Sequence, residues 1–92
     1  MFTVIESVTP LADNRVHLRF KDGAAGNVDL AEAMQRGGVF AALAERPVFE
    51  AVSLGEGGRY IVFPNGVDFC ADALREKLAA AEGASRAVIG AA

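Results

Sequence analysis

The stretch from Gly58 to Leu74, GRYIVFPNGVDFCADAL, limits the possible folds of this chain more than any other segment. Arg59 to Phe63 is an apolar run with the composition of a strand, and Pro64-Asn65-Gly66 follows it as a turn. Proline presets φ there, and the Asn-Gly pair accepts the left-handed region. Val67 to Phe69 leaves the turn extended, and a helix is expected from Ala71 to Glu82, with Ala71, Leu74, Leu78 and Ala81 as its apolar stripe. An echo lies upstream in His17 to Leu30, HLRFKDGAAGNVDL, where Asp22-Gly23 suits a second hairpin whose turn needs positive φ. Hairpins of this kind place consecutive strands side by side and antiparallel.

The strand between these signals is legible residue by residue. In Arg15 to Phe20, Val16, Leu18 and Phe20 fall on one side, and Arg15, His17 and Arg19 fall on the other. A period of two marks a half-buried strand. Phe2 to Val8 alternates in the same way before Pro10, with Ala12-Asp13-Asn14 as the connecting turn, and Asn27 to Leu30 returns as a third strand. Helical composition begins at Leu30 to Met34, with Asp29 placed to cap it, and Gly37-Gly38 stops it. Val39 to Glu45 reads as another short helix with Phe40 and Leu43 on one face, closed by Arg46-Pro47. Phe49 to Leu54 reads as a further strand, and Gly55 to Gly58 as a loose turn before Arg59. The expected architecture is therefore α+β: a small antiparallel sheet, made of a β-meander plus a hairpin, with two short helices and a C-terminal helix. Residues 1–82 form the single domain and 83–92 a flexible tail. Val16, Leu18, Phe20, Val62 and Phe63 are expected in or beside the core.

Composition narrows the function more by exclusion than by indication. The chain has 92 residues, 52% of them apolar and 23% charged, enough for one globular core and not for two. The net charge of −3 is evenly spread, so no basic half exists to neutralise a phosphate backbone. Cys70 is the only cysteine, which excludes an internal disulfide and suits a reducing compartment. The first residues lack the basic and apolar regions of a signal peptide, and no apolar run reaches the roughly 18 residues of a membrane span. A cytoplasmic location with no membrane is the expectation.

In order and spacing, a series of short motifs resembles a bacterial family, domain-of-unknown-function family 2442 (DUF2442). The residues are Val8-Thr9-Pro10-Leu11, Leu18-Arg19-Phe20, Asp22-Gly23, Val28-Asp29-Leu30, Gly38-Val39-Phe40, Phe49, Val52 and Pro64-Asn65-Gly66-Val67-Asp68. They run from about Ile5 to Leu78. The resemblance implies an α+β domain with the NE0471 N-terminal-domain-like fold, and it implies little chemistry. Members similar to this chain often lie beside small toxin-like proteins, which implies an antitoxin-like role. Some carry a helix-turn-helix behind the module, but here only ten residues follow Glu82, too few for a DNA-reading helix pair. Relatives open the last helix with Ser-Pro where this chain has Cys70-Ala71, and a thiol caps more weakly than a hydroxyl.

Each candidate for chemistry has a plainer structural explanation. Cys70 near a helix start has the setting of a nucleophile, but the only histidine, His17, lies on a distant strand, and a small half-buried residue explains Cys70 better. A metal site needs three or four ligands, and His17 has neither a second His nor a second Cys to join it. The pairs Asp68 with Asp72 and Asp29 with Glu32 lack the dense oxygen spacing of a calcium loop and read as caps and solvated faces. Gly55-Glu56-Gly57-Gly58 precedes a strand, whereas a phosphate-cradling loop must open a helix. No cofactor, metal or catalytic group is assigned. What remains is Arg15, His17, Arg19 and Lys21 on one strand face, the one local basic stripe and the partner-binding candidate. The leading expectation is a non-enzymatic protein-interaction module with another protein, toxin-like by the resemblance, as partner. The alternative is a nucleic-acid-associated transcriptional regulator using the Arg15–Lys21 face, although no tryptophan and a single tyrosine leave it without a base-stacking platform. A homo-oligomer is left open.

Overall fold

The computed structural model describes residues 3–80. It is α+β, built from two antiparallel three-stranded sheets. The first runs β1 (Ile5–Pro10), β2 (Arg15–Phe20), β3 (Ala25–Asp29). Then come helix α1 (Ala31–Met34), a 3-10 segment (Gly38–Ala44) and helix α2 (Arg46–Glu50). The second sheet follows as β4 (Ser53–Leu54), β5 (Tyr60–Val62), β6 (Asp68–Cys70), and residues 71–80 form helix α3. Both sheets have their middle strand in the middle of the sequence, as a meander must. The expected end of the last helix, Ala81-Glu82, and the tail of residues 83–92 lie outside the described residues.

The two hairpin turns have the same geometry. Phe20 N–H donates to Ala24 O (2.8 Å) and Gly23 N–H to Phe20 O (3.0 Å); Phe63 N–H donates to Val67 O (2.8 Å) and Gly66 N–H to Phe63 O (2.9 Å). Gly23 and Gly66 hold φ of 96° and 92°. This is the three-residue loop that ends in a left-handed glycine. A side-chain oxygen reinforces each turn: Asp22 Oδ1 accepts Ala24 N–H at 2.9 Å, and Asn65 Oδ1 accepts Val67 N–H at 3.3 Å. Asn65 also donates from Nδ2 to Val39 O at 2.9 Å, which ties the second turn to the 3-10 segment.

One apolar cluster receives side chains from both sheets and from the helices. Val16, Leu18 and Phe20 of β2 are buried, as the alternation requires. Ala71, Leu74 and Leu78 place the stripe of α3 on the same core. Aromatic rings join the middle of the chain to the second sheet: Phe49 meets Phe63 at 5.7 Å, Phe63 meets Phe69 edge-on at 6.1 Å, and Phe69 meets Phe40 at 6.3 Å.

Several expectations need correction. Val62 is only half-buried, while Ile61 and Phe63 point inward, because a strand can bury only alternate residues. Arg46-Pro47 does not close a helix. Pro47 sits in the first turn of α2, where its missing N–H costs nothing, so Phe49 belongs to a helix and the expected strand shrinks to Ser53–Leu54. Those two residues still add a third strand, so the expected hairpin is a sheet of its own. The turn at Gly55–Gly58 is not loose: Gly58 N–H donates to Gly55 O (3.1 Å) and Arg59 N–H to Glu56 O (3.2 Å), two tight turns that meet at the left-handed Gly57, and Gly58 is buried. Gly58 has φ of 71°, and a Cβ there would collide with the carbonyl oxygen of Ile5.

These turns can be tested separately. Gly66 has open space around it, so Gly66→Val should cost about 1–3 kcal/mol through backbone conformation alone. Gly58→Ala should cost more than Gly66→Ala, because the added methyl also displaces β1. Thermal melts of the three variants check the order, and a milder effect at Gly58 would mean that β1 yields freely.

Candidate functional site

The basic stripe lies on the open face of the first sheet. Arg15 and Arg19 are exposed, His17 is half-buried, and Lys21 is exposed at the first position of the turn after β2. β2 is the central strand, so the stripe runs down the middle of the face. Ser7 and Thr9 of β1 lie opposite Arg19 and His17, and Ala25, Asn27 and Asp29 of β3 lie opposite Arg19, His17 and Arg15. The side chains flanking the cations are therefore short. His17 Nδ1 donates to Asn27 Oδ1 at 2.9 Å, which holds the imidazole across the strand pair. Asp29, the acid nearest in register to Arg15, turns its carboxylate to the backbone, where Oδ1 accepts Ala31 N–H at 2.8 Å. The expected cap on α1 is not made in that form: Leu30 is the N-cap and no side chain caps it, and Asp29 bonds Ala31 N–H from one residue earlier, at the end of β3. Among the described residues, Arg15, Arg19 and Lys21 form no ion pair. The two ion pairs shown are Arg46–Glu50 within α2 and Arg75–Asp22.

The second pair anchors the first hairpin. Arg75 of α3 donates from Nε to Asp22 Oδ2 at 3.2 Å, and its guanidinium lies over the Phe20 ring at 5.7 Å. Asp22 thus caps its own turn with one oxygen and meets α3 with the other. The Ala24 N–H above all, and then Arg75, hold the carboxyl below its ordinary value of 3.8, against a desolvation that ranks between the two.

The remaining candidates are dispersed. Cys70 is exposed, not half-buried, because the alternation of β6 turns Phe69 inward and Cys70 outward beside Tyr60. His17 lies in the other sheet. Among the described residues, no three His, Cys, Asp or Glu side chains group as a metal site. The glycine loop leads into β5 and not into a helix, so it lacks the strand–loop–helix order of a phosphate-cradling loop. The shallow clefts among the described residues include one of about 510 Å³ at Glu56, Gly57, Arg59 and Tyr60 and one of about 340 Å³ between Val39-Phe40 and residues 65–68. Neither contains a convergent set of acid, base and nucleophile. Among the described residues, no helix is long and apolar enough to cross a membrane.

The Asp22 anchor makes a pH-dependent prediction. A carboxyl whose folded pKa is depressed stabilises above its unfolded value, and that stability is lost as pH falls through the folded value. Asp22→Asn keeps an acceptor for Ala24 N–H and loses the charge opposite Arg75. The variant should melt below the parent protein at neutral pH, and the gap should close as the pH drops below 3.8. A gap that stays constant in acid would show that the charge contributes nothing.

Neither a curated protein nor a solved structure shows significant similarity to the chain. A family model described as "Protein of unknown function (DUF2442)" matches residues 5–80, which takes in both sheets and every described helix. The expectation drawn from Val8-Thr9-Pro10, Asp22-Gly23 and Pro64-Asn65-Gly66 therefore holds, and the chain belongs to the DUF2442 family.

Proposed function

We propose that this domain is a non-enzymatic protein-interaction module that meets an acidic partner protein with the open face of its first sheet. The observation carrying this reading is the cationic row of Arg15, Arg19 and Lys21, none of them ion-paired among the described residues, on a chain of net charge −3. The carboxylate nearest in register, Asp29, bonds a backbone N–H and forms no ion pair with Arg15, though its charge stays beside that end of the row. An acidic surface would supply the missing charge. The family resemblance supports the finer reading of an antitoxin-like partner of a small toxin-like protein in the cytoplasm.

If this face is the binding surface, Arg15→Glu with Arg19→Glu reverses two charges on one patch and leaves Val16 and Leu18 untouched. Binding to the protein that co-purifies from the host should weaken, chiefly in kon, and the loss should shrink as salt is raised. The melting temperature should barely move. Normal binding by the double variant at low salt would remove the face from consideration. An affinity of the parent chain for nucleic acid that falls steeply with salt would support the regulator reading instead.

A second measurement addresses the non-enzymatic reading. Cys70→Ser should leave partner binding and biological activity intact, and should stabilise the start of α3 by a few tenths of a kcal/mol through a better cap. Loss of activity with the fold retained would make the thiol functional.

A further inference from the structure

The open strand edges of the two sheets differ in kind. A free edge is a row of backbone donors and acceptors that another chain can pair with, and folds blunt it by shortness, bulges, proline or a cover. β4 and β6 are two and three residues long. β1 has a bulge between Ile5 and Ser7 and packs near β4 and the Glu56–Gly58 turn. Its Pro10 stands opposite Val16, next to the bonded pair in which Leu11 N–H reaches Arg15 O at 2.8 Å. Alternation turns the backbone of Pro10 away from β2, so the outer side of β1 lacks an N–H there.

Among the described residues, β3 has none of these devices. It is five residues long, contains no proline, and pairs with β2 in unbroken register. Phe20 N–H to Ala24 O (2.8 Å) and Leu30 N–H to Asn14 O (2.9 Å) set the phase of its hydrogen bonds. Residues 24, 26, 28 and 30 therefore face β2, and the N–H and C=O of Ala25, Asn27 and Asp29 face outward. All three residues are exposed, and no described residue bonds these backbone groups. The same three carry the short side chains that flank Arg19, His17 and Arg15.

We propose that the β3 edge accepts an extended acidic segment of a partner protein as a fourth strand of the first sheet. This rests on the polar-face reading above and adds the mode of binding. The added strand's backbone would pair with Ala25, Asn27 and Asp29. Its glutamates on the polar face would stand about 10 Å from β2, within joint reach of Glu and Arg side chains passing over Ala25 and Asn27, while the Asp29 carboxylate would oppose a glutamate placed directly beside it. Charge selects this occupant over a second copy. Two copies joined through β3 would merge their cationic rows on one continuous face, and like charges brought together oppose association.

The test uses the full chain, isotope-labelled, and a synthetic peptide of alternating glutamate and valine, about seven residues long to span β3 with one residue beyond each end. Binding should shift the amides of β3 and of Arg15 and Arg19. It should slow exchange at Ala25, Asn27 and Asp29 by about tenfold at a free peptide concentration ten times its Kd. Asn27→Pro removes one outward N–H without touching a backbone hydrogen bond to β2, although it also removes the acceptor of His17 Nδ1, and should abolish binding. Ala25→Pro does the same at a residue that makes no side-chain contact with His17, and it serves if Asn27→Pro unfolds. The lysine-for-glutamate peptide should not bind. Shifts confined to other surfaces, no binding at millimolar peptide, or unchanged binding by a folded proline variant would each overturn the proposal. So would protection at Ala25, Asn27 and Asp29 that grows with protein concentration alone, since a second copy would then be the occupant. The proline variants and Arg15→Glu/Arg19→Glu also separate the two readings. Loss of binding only on charge reversal leaves the polar face standing without the edge, and loss only with proline leaves the edge without the face.

Discussion

Register is the constraint on which the rest of this structure depends, and it is set twice by the same device. In Phe20-Lys21-Asp22-Gly23-Ala24 and in Phe63-Pro64-Asn65-Gly66-Val67, a left-handed glycine ends a three-residue loop, and an Asx oxygen holds the N–H of the residue that follows it. A slip of one residue in either hairpin would turn every side chain of the strand to the other face. In β2 that would bury Arg15, His17 and Arg19 and expose Val16, Leu18 and Phe20. The turns thus position the polar stripe as directly as they position the core. Each is also tied to the rest of the domain, the first by Asp22 to Arg75 and the second by Asn65 to Val39.

The two sheets are small, and neither could be independently stable at three strands without a packed face. They resolve this by sharing a core. Phe63 leaves β5 between Phe49 of α2 and Phe69 of β6, and the stripe of α3 contributes to the same cluster as Val16, Leu18 and Phe20. Because that cluster lies on one side of the first sheet, the other side remains open to solvent, as antiparallel sheets permit. The cationic row and the unblunted β3 edge meet on this side. The surface proposed for a partner is thus the one the core does not need.

What could be read in the chain depended on the range of the physics involved. Turn chemistry and side-chain alternation are local, so both hairpins, the inward residues of β2 and the stripe of α3 were legible from Asp22-Gly23, Pro64-Asn65-Gly66 and the spacing of apolar residues. The stripe of Arg15, His17, Arg19 and Lys21 was legible for the same reason. The segment from Arg46 to Leu54 was misread, because a proline after a short helix and a proline inside the first turn of the next one look alike in sequence. Phe49 is apolar in either case, and only its packing against Phe63 selects the helix.

By itself, then, the sequence determined the antiparallel strands, their inner and outer faces, and the absence of a local motif for catalysis, since each depends on neighbours within a few residues. Tertiary structure alone decided that there are two sheets and not one, that Gly58 presses against Ile5, that Arg75 reaches Asp22, and that Cys70 faces solvent. It also decided which strand edge remains open. Whether the N–H of Asn27 points to a neighbour or to solvent depends on what lies beyond β3, and pairing between distant segments is settled by the packing of the whole domain, which no local pattern records.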